Sequence, residues 1–284
     1  MTRLLATDLD GTLLRSDLSV SDRTRRALAD ARVAGLQVVF MTGRPLRWLG
    51  LAIDETQHRS MLACANGAMV WDAVSEETVT AHPLDAEIAR AAARTLKEVV
   101  PGIGFAVERL PRDQWLWRDG DDSRNHVFAH DPAYVPKWPM PTGTPVADID
   151  ELVSTGDVVK LLGRAPVDAD HSADTLLKLA VTGLKKIVEV THSNAADLLL
   201  EVSAHGVSKA SALAEIAQRF GISQTDVVAV GDMPNDLSML RWAGQAYAVD
   251  NAHDDIRQVV DGFLPANDDD GVAVLIEQML RGER

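Results

Sequence analysis

Close to its N-terminus the chain reads Asp8-Leu9-Asp10-Gly11-Thr12-Leu13-Leu14, directly after the apolar run Leu4-Leu5-Ala6. Residues i and i+2 of a strand share a face, so a strand running through this segment would aim Asp8 and Asp10 at one small volume. Two carboxylates held that close push one pKa upward unless a cation offsets them. A divalent ion with oxygen ligands does so and keeps a carboxylate ionised. The chemistry these residues suggest is metal-assisted.

Three further groups carry reactive side chains. Thr42-Gly43-Arg44 follows the apolar run Leu36 to Met41, Lys209 follows Gly206-Val207-Ser208, and Gly231-Asp232 with Asn235-Asp236 follows Val227 to Val230. Each group falls at the C-terminal end of a predicted strand or at the start of the helix beyond it, where open α/β sheets bind ligands. Together the four groups supply a nucleophile, an acid/base, a hydroxyl, a lysine and a metal-binding acidic pair. Asn66-Gly67 closes a further predicted strand, Met61 to Ala65; it is a turn signal that also leaves an amide side chain at the sheet's edge.

The elements that must position these groups are written as apolar runs alternating with helical patterns, the grammar of a parallel α/β sheet. Ser21 can cap a helix to about Ala34, with Gly35 as its left-handed stop. Leu213, Ile216, Ala217 and Phe220 fall at i, i+3, i+4 and i+7 before Gly221, and Val272, Leu275, Ile276 and Met279 mark a last helix. Between about Pro83 and His205 the texture changes: an Ala-rich helix after Leu84, a proline-dense stretch from Pro132 to Pro145, then strand, helix, strand, strand over Val158 to Leu162, Thr175 to Val181, Lys186 to Val190 and Leu198 to Val202. The expected organisation is a catalytic core from residues 1–82 and 206–284 with an inserted α+β domain, 83–205.

Composition narrows the partners. The chain has 284 residues, 46% hydrophobic and 25% charged, with a net charge of −14. That charge disfavours a nucleic-acid backbone or an anionic membrane, both of which need a positive surface. No apolar run approaches the roughly 20 residues of a membrane span, and the acidic motif comes too early for a signal peptide. A cytoplasmic protein, monomeric or a small homo-oligomer, is expected. The lone Cys64 leaves no internal disulfide or multi-thiolate metal site and reads as a small core residue.

The order Asp-x-Asp-Gly-Thr, Thr-Gly-Arg, a distant lysine and Gly-Asp-x-x-Asn-Asp resembles the haloacid dehalogenase superfamily. The insertion between Arg44 and Lys209, with Asn66-Gly67-Ala68, Asn251-Ala252 and Asp270-Gly271-Val272, is similar to its Cof-type phosphatases. The resemblance implies a doubly wound, Rossmann-like core, a cap that selects the leaving group, and Mg²⁺-dependent hydrolysis of small phosphorylated metabolites such as sugar phosphates, flavin mononucleotide or pyridoxal phosphate. Carried over by position, Asp8 is the nucleophile and Asp10 the acid/base. Mg²⁺ is held by Asp8, the Asp10 carbonyl and Asp232, with Asp236 orienting that shell. Thr42 and the Gly43 N–H bind phosphoryl oxygens, and Lys209 offsets charge. Arg44, Asn66 and Asn235 are further substrate-binding candidates. A phosphomutase, a phospho-accepting signalling protein and an idle binding protein are the alternatives.

Other features read more plainly. His126 and His130 have the spacing of a metal pair but lack its glutamate, so a surface or loop pair is expected. Trp115, Trp117 and Trp138 are expected in cap packing, and Asp268-Asp269-Asp270 at the start of the last helix. Ala210 stands where the family usually has glycine, and Asp250 where a small or apolar residue is commoner.

Overall fold

A computed structural model describes residues 4–111, 127–138, 140, 143–184 and 186–282. Trp115, Trp117 and His126 lie outside the described residues. The chain divides into two compact units, one of Met1–Val79 with Ser208–Arg284 and one of Thr80–Val207.

The first unit begins β1 (Leu4–Thr7), α1 (Asp22–Val33), β2 (Gln37–Met41), α2 (Leu49–Thr56), β3 (Met61–Cys64), β4 (Met69–Asp72) and β5 (Glu77–Ala81). The insert contributes α3 (Ala86–Val99), β6 (Gly104–Arg109), β7 (Phe128–His130), α4 (Ile149–Ser154), β8 (Val158–Arg164), α5 (Ala173–Leu184), β9 (Val188–Thr191) and β10 (Leu199–Ala204). The first unit then resumes with α6 (Lys209–Arg219), β11 (Val227–Gly231), α7 (Leu237–Trp242), β12 (Gln245–Val249), α8 (Asp254–Arg257), β13 (Gly262–Leu264) and α9 (Gly271–Arg281).

The first unit's sheet has eight strands in the order β13-β12-β11-β1-β2-β3-β4-β5. From β13 to β3 the pairing is parallel, and β4 returns antiparallel to β3. Its central strands read as near-continuous apolar runs because both faces are covered. Leu4 and Ala6 of β1 pack with Leu213 and Ile216 of α6 and Met239 of α7, while α1 packs against β2, α2 and α9. This is the doubly wound α/β core expected from the alternation. Ser21 caps α1 by accepting from the Thr24 N–H, and Gly35 follows in the left-handed region at φ 79°. Strand order reverses between β1 and β11, the topological switch point at which such sheets bind ligands.

The insert has a five-stranded sheet in the order β7-β6-β8-β10-β9, its pairings antiparallel. One face packs on α3, α4 and α5 through Phe105, Val107, Leu161, Leu200 and Val202. On the other, Ala106, Phe128, Leu162 and Tyr134 cluster, with Trp138 against them. Trp138 therefore packs within the insert, as expected. The β4–β5 hairpin was not anticipated: its short segments have no helical period and β4 is almost wholly buried, without the alternation that marks a half-buried strand.

Candidate active site

Asp8 lies immediately beyond the buried strand β1, its N–H donating to the Val230 carbonyl (3.0 Å) at the end of β11. The strand's alternation stops there. A tight turn follows, with the N–H groups of Thr12, Leu13 and Leu14 all donating to the Leu9 carbonyl and Gly11 at φ 74°. A Cβ at Gly11 would sit 2.5 Å from Asp232 Oδ2, so the turn needs glycine for both its conformation and its closeness to the acidic cluster.

The turn separates the two aspartates that a continued strand would have converged. Asp8 is buried and accepts from Lys209 Nζ at 2.7 Å. Asp10 is partly exposed and turns to Arg44, whose Nε and Nη2 donate to its two carboxylate oxygens at 2.7 and 2.5 Å. Arg44, read from sequence as a substrate contact, is here a bidentate partner of Asp10.

Lys209 opens α6, whose N-terminus is fixed by a reciprocal Ser208–Ser211 capping box. Its ammonium is fully buried and also donates to Asp236 Oδ1 at 2.6 Å. The other oxygen of Asp236 accepts the N–H groups of Asp232 and Met233, both at 3.0 Å. Asp236 thus fixes the lysine with one oxygen and the loop after β11 with the other.

Thr42 is buried at the end of β2, its hydroxyl oxygen accepting the Arg44 N–H at 3.0 Å, and Gly43 lies between them. The Thr42 carbonyl accepts the Asn66 N–H at 3.0 Å. Asn66 is left-handed at φ 57°, and its Oδ1 accepts from Asn235 Nδ2 at 3.1 Å. Asn235 Oδ1 is buried and has no partner among the described residues. The strand-end groups 8–10, 42–44, 66, 209 and 231–236 are thus linked by direct contacts within one unit.

The haloacid dehalogenase-like hydrolase family matches this chain over residues 5–276. The chain belongs to that family. Bacillus subtilis YcsE, a 5-amino-6-(5-phospho-D-ribitylamino)uracil phosphatase, is 26% identical over 274 residues, covering 96% of this chain and 94% of its own. Phosphatase YwpJ of the same organism is 27% identical over 307 residues, covering 98% and 100%. In fold, the chain is similar to a phosphatase of the haloalkanoate superfamily from Bacteroides thetaiotaomicron, with a TM-score of 0.75 at 22% identity over 98% of this chain and 95% of that one. This haloacid dehalogenase-like hydrolase is a Cof-type phosphoric monoester hydrolase.

The electrostatics of the hydrolase's site call for a cation. Carboxylate oxygens of Asp8, Asp232 and Asp236 lie within 4.8 Å of one another, and Lys209 is the ammonium among them. Burial pushes the Asp8 carboxyl well above its ordinary range against the pull of Lys209, with Asp236, Asp232 and Asp10 raising it further. Asp232 is pushed up to about 7 by burial and Asp236, opposed by the Thr12 hydroxyl and Lys209. Burial works against the Lys209 ammonium too, but Asp236 and Asp8 overcome it and its pKa is raised. Three buried carboxylates with one lysine leave negative charge uncompensated, and an all-oxygen donor set fits a hard divalent cation.

Four contacts add three residues, Thr12, Asn251 and Asn267, to which sequence reading assigned no role. Thr12 donates to Asp232 Oδ1 at 2.6 Å. Asn251 donates to the Gly11 carbonyl at 2.7 Å and accepts the Asn267 N–H at 2.9 Å, while Asn267 donates to the Leu14 carbonyl at 3.0 Å. The available signal was the Gly-Thr after Asp10 and the Asn251-Ala252 pair, both noticed only as family marks. Asp268 and Asp270, expected to favour the start of the last helix, instead hold the loop after the turn: Asp268 accepts from the Ser16 N–H and hydroxyl, each at 2.8 Å, and Asp270 from Arg15 Nη2 at 2.9 Å. Asp270 itself is left-handed and its side chain caps no N–H of α9.

Proposed function

We propose that the protein hydrolyses small phosphorylated metabolites through an aspartyl-phosphate on Asp8, with Mg²⁺ as its cofactor. The observation that carries the reading is the buried Lys209 ammonium, 2.7 Å from Asp8 and 2.6 Å from Asp236, beside Asp232. A carboxylate whose charge is offset in this way can approach an anionic phosphoryl group, which it otherwise repels. Asp8, Asp232 and the Asp10 carbonyl are the groups that would hold the ion, with Asp236 orienting them. The ion would neutralise charge on the transferring phosphoryl oxygens.

In the first step an Asp8 carboxylate oxygen attacks phosphorus and the bond from phosphorus to the ester oxygen breaks. Asp10 gives that oxygen a proton, so an alcohol leaves. In the second step Asp10 takes a proton from water, whose oxygen attacks the same phosphorus; inorganic phosphate departs and Asp8 is regenerated. The Thr42 hydroxyl, the Gly43 N–H and the Asn66–Asn235 amide pair bind phosphoryl oxygens, and the unpartnered Asn235 Oδ1 suits a hydroxyl or water proton.

The substrate is a small phosphorylated metabolite of the sugar phosphate, pyridoxal phosphate or flavin mononucleotide class. YcsE acts by name on such a ribityl phosphate, and a structurally similar relative is named a sugar phosphatase. The insert, residues 83–205, selects the leaving group, and the setting is the cytoplasm, where these metabolites are made. Asp8→Asn tests the mechanism: turnover should vanish while the circular-dichroism spectrum stays that of the wild type. Retained Mg²⁺-dependent phosphate release in that variant would refute the nucleophile. A screen of phosphorylated metabolites ranked by kcat/KM tests the class, and uniformly feeble rates would sink it.

A further inference from the structure

The turn that follows β3 has an unusual backbone. Ala65, Asn66 and Gly67 all lie in the left-handed region, at φ 51°, 57° and 95°. Left-handed residues other than glycine ordinarily occur singly and are most often asparagine or aspartate, so two in succession, one of them alanine, cost conformational energy. Such strain persists only where surrounding contacts over-determine it, and it gathers at functional sites. All three residues are buried.

Each residue of the turn is tied to a different part of the site, and all of these parts belong to the first unit. The Ala65 N–H donates to the Arg44 carbonyl at 2.9 Å and the Asn66 N–H to the Thr42 carbonyl at 3.0 Å, so the turn grips residues 42–44 at both ends. A Cβ on Gly67 would collide with the carbonyl oxygen of Ser208, the N-cap of the helix α6 that Lys209 opens. The Asn66 side chain reaches a third part, its Oδ1 accepting from Asn235 Nδ2 at 3.1 Å. An amide has opposite polarity at its two ends, and Asn235 turned over would set its Oδ1 against that of Asn66, acceptor against acceptor. Asn66 therefore fixes which way the Asn235 amide faces. It leaves Asn235 one N–H hydrogen to give and a buried Oδ1 with no partner among the described residues.

We propose that Asn66 is a positioning residue: from a strained turn that also sets residues 42–44 and the start of the lysine's helix, it orients Asn235 to donate to a phosphoryl oxygen. The two asparagines of the pair thus have different tasks. Asn235 meets the anion. The Asn66 Oδ1 is an acceptor, which an anionic oxygen repels, and it acts only through its neighbour. That Asn235 meets a phosphoryl group rests on the phosphatase reading; that Asn66 orients Asn235 does not.

Two measurements on the full chain decide this. The first needs no ligand: the side-chain amide hydrogens of Asn235, identified in a nitrogen–proton correlation spectrum by their absence from Asn235→Ala, should exchange with water faster in Asn66→Gly. Glycine holds φ 57° without strain, so the urea midpoint of that variant should stay near the wild type's. Asn66→Asp tolerates the same backbone and keeps an acceptor, so it should preserve the slow exchange, and it carries the test even if Asn66→Gly folds poorly. The second measurement is the dissociation constant of inorganic phosphate with Mg²⁺ present. It should rise about fivefold in Asn66→Gly and at least as much in Asn235→Ala, with the double variant binding no more weakly than Asn235→Ala alone. Losses that multiply in the double variant, or wild-type phosphate binding by Asn66→Gly, would overturn the positioning role. So would fast exchange in Asn66→Asp, or exchange in Asn66→Gly as slow as in the wild type. A wild type that neither binds phosphate nor releases it from any ester would sink the phosphatase reading alone, because the exchange of the Asn235 amide needs no turnover.

Discussion

Lys209 is the residue on which the site's charge balance turns. It is the ammonium between Asp8 and Asp236, and removing one partner of a buried ion pair leaves the others uncompensated. Lys209→Met should therefore cost about 3–5 kcal/mol of stability in the metal-free protein, read by urea unfolding, as well as abolishing turnover. A variant as stable as the wild type would refute Lys209 as the group that balances the buried carboxylates. Arg44 offers the opposite case, because its partner Asp10 is partly exposed. Arg44→Ala should change stability by no more than about 1 kcal/mol. Its kcat should fall by tenfold or more, within the roughly 10²–10⁴ that a whole acid–base contribution supplies, because Asp10 loses the group that places it. An unchanged kcat with a raised KM would return Arg44 to the substrate-contact role suggested by its position in Thr-Gly-Arg. That ambiguity shows what residue types can and cannot tell. The lysine, the acids and the threonine were legible as chemistry, but which carboxylate each cation would choose depended on a turn that ends the strand at Thr7, before either aspartate.

At the scale of elements, the core was readable because local and global signals agree. Ser21 caps α1, Ser208 caps α6, and the apolar runs fall on strands buried on both faces. The bracing of the nucleophile turn was not readable, since its partners lie more than 230 residues away, at Asn251 and Asn267, and nothing local in an asparagine specifies a carbonyl so distant. Those braces make a prediction of their own. Asn267→Ala leaves the Leu14 carbonyl without the donor it has here and removes a buried side chain, so it should cost about 1–3 kcal/mol. Amide hydrogen exchange at Leu13 and Leu14 should quicken by more than the global loss of stability explains. Exchange that rises uniformly over the whole chain would show that the brace acts only through overall stability and does not hold the turn. The β4–β5 hairpin escaped for a different reason. Antiparallel strands appended to a parallel sheet need no crossover helix, and short buried segments carry little periodicity to mark them.

For the whole molecule, the acidic cluster couples stability to pH in a direction opposite to the common carboxylate case. Asp232 titrates near 7 in the folded, metal-free protein, against about 3.9 for an unfolded aspartate. Below pH 4 it is protonated in both states and contributes nothing. Between about pH 4 and 7 the folded state binds more protons than the unfolded one, so unfolding free energy falls as pH rises, and above 7 the full penalty is present. Asp8 is shifted in the same direction. The penalty is on the order of a few kcal/mol, enough to lower Tm by several degrees between pH 5 and pH 8 in the presence of a chelator. A bound divalent cation removes the cause of the shift, so the stabilisation given by Mg²⁺ should be small at pH 5 and large at pH 8. The −14 net charge also lowers stability as pH rises, and Asp232→Asn separates the two effects. That variant keeps the shape and nearly all the global charge, so its metal-free Tm should fall less with pH and Mg²⁺ should shift it little. An Asp232→Asn protein with the wild-type slope and the wild-type response to Mg²⁺ would place both the titration and the cation elsewhere.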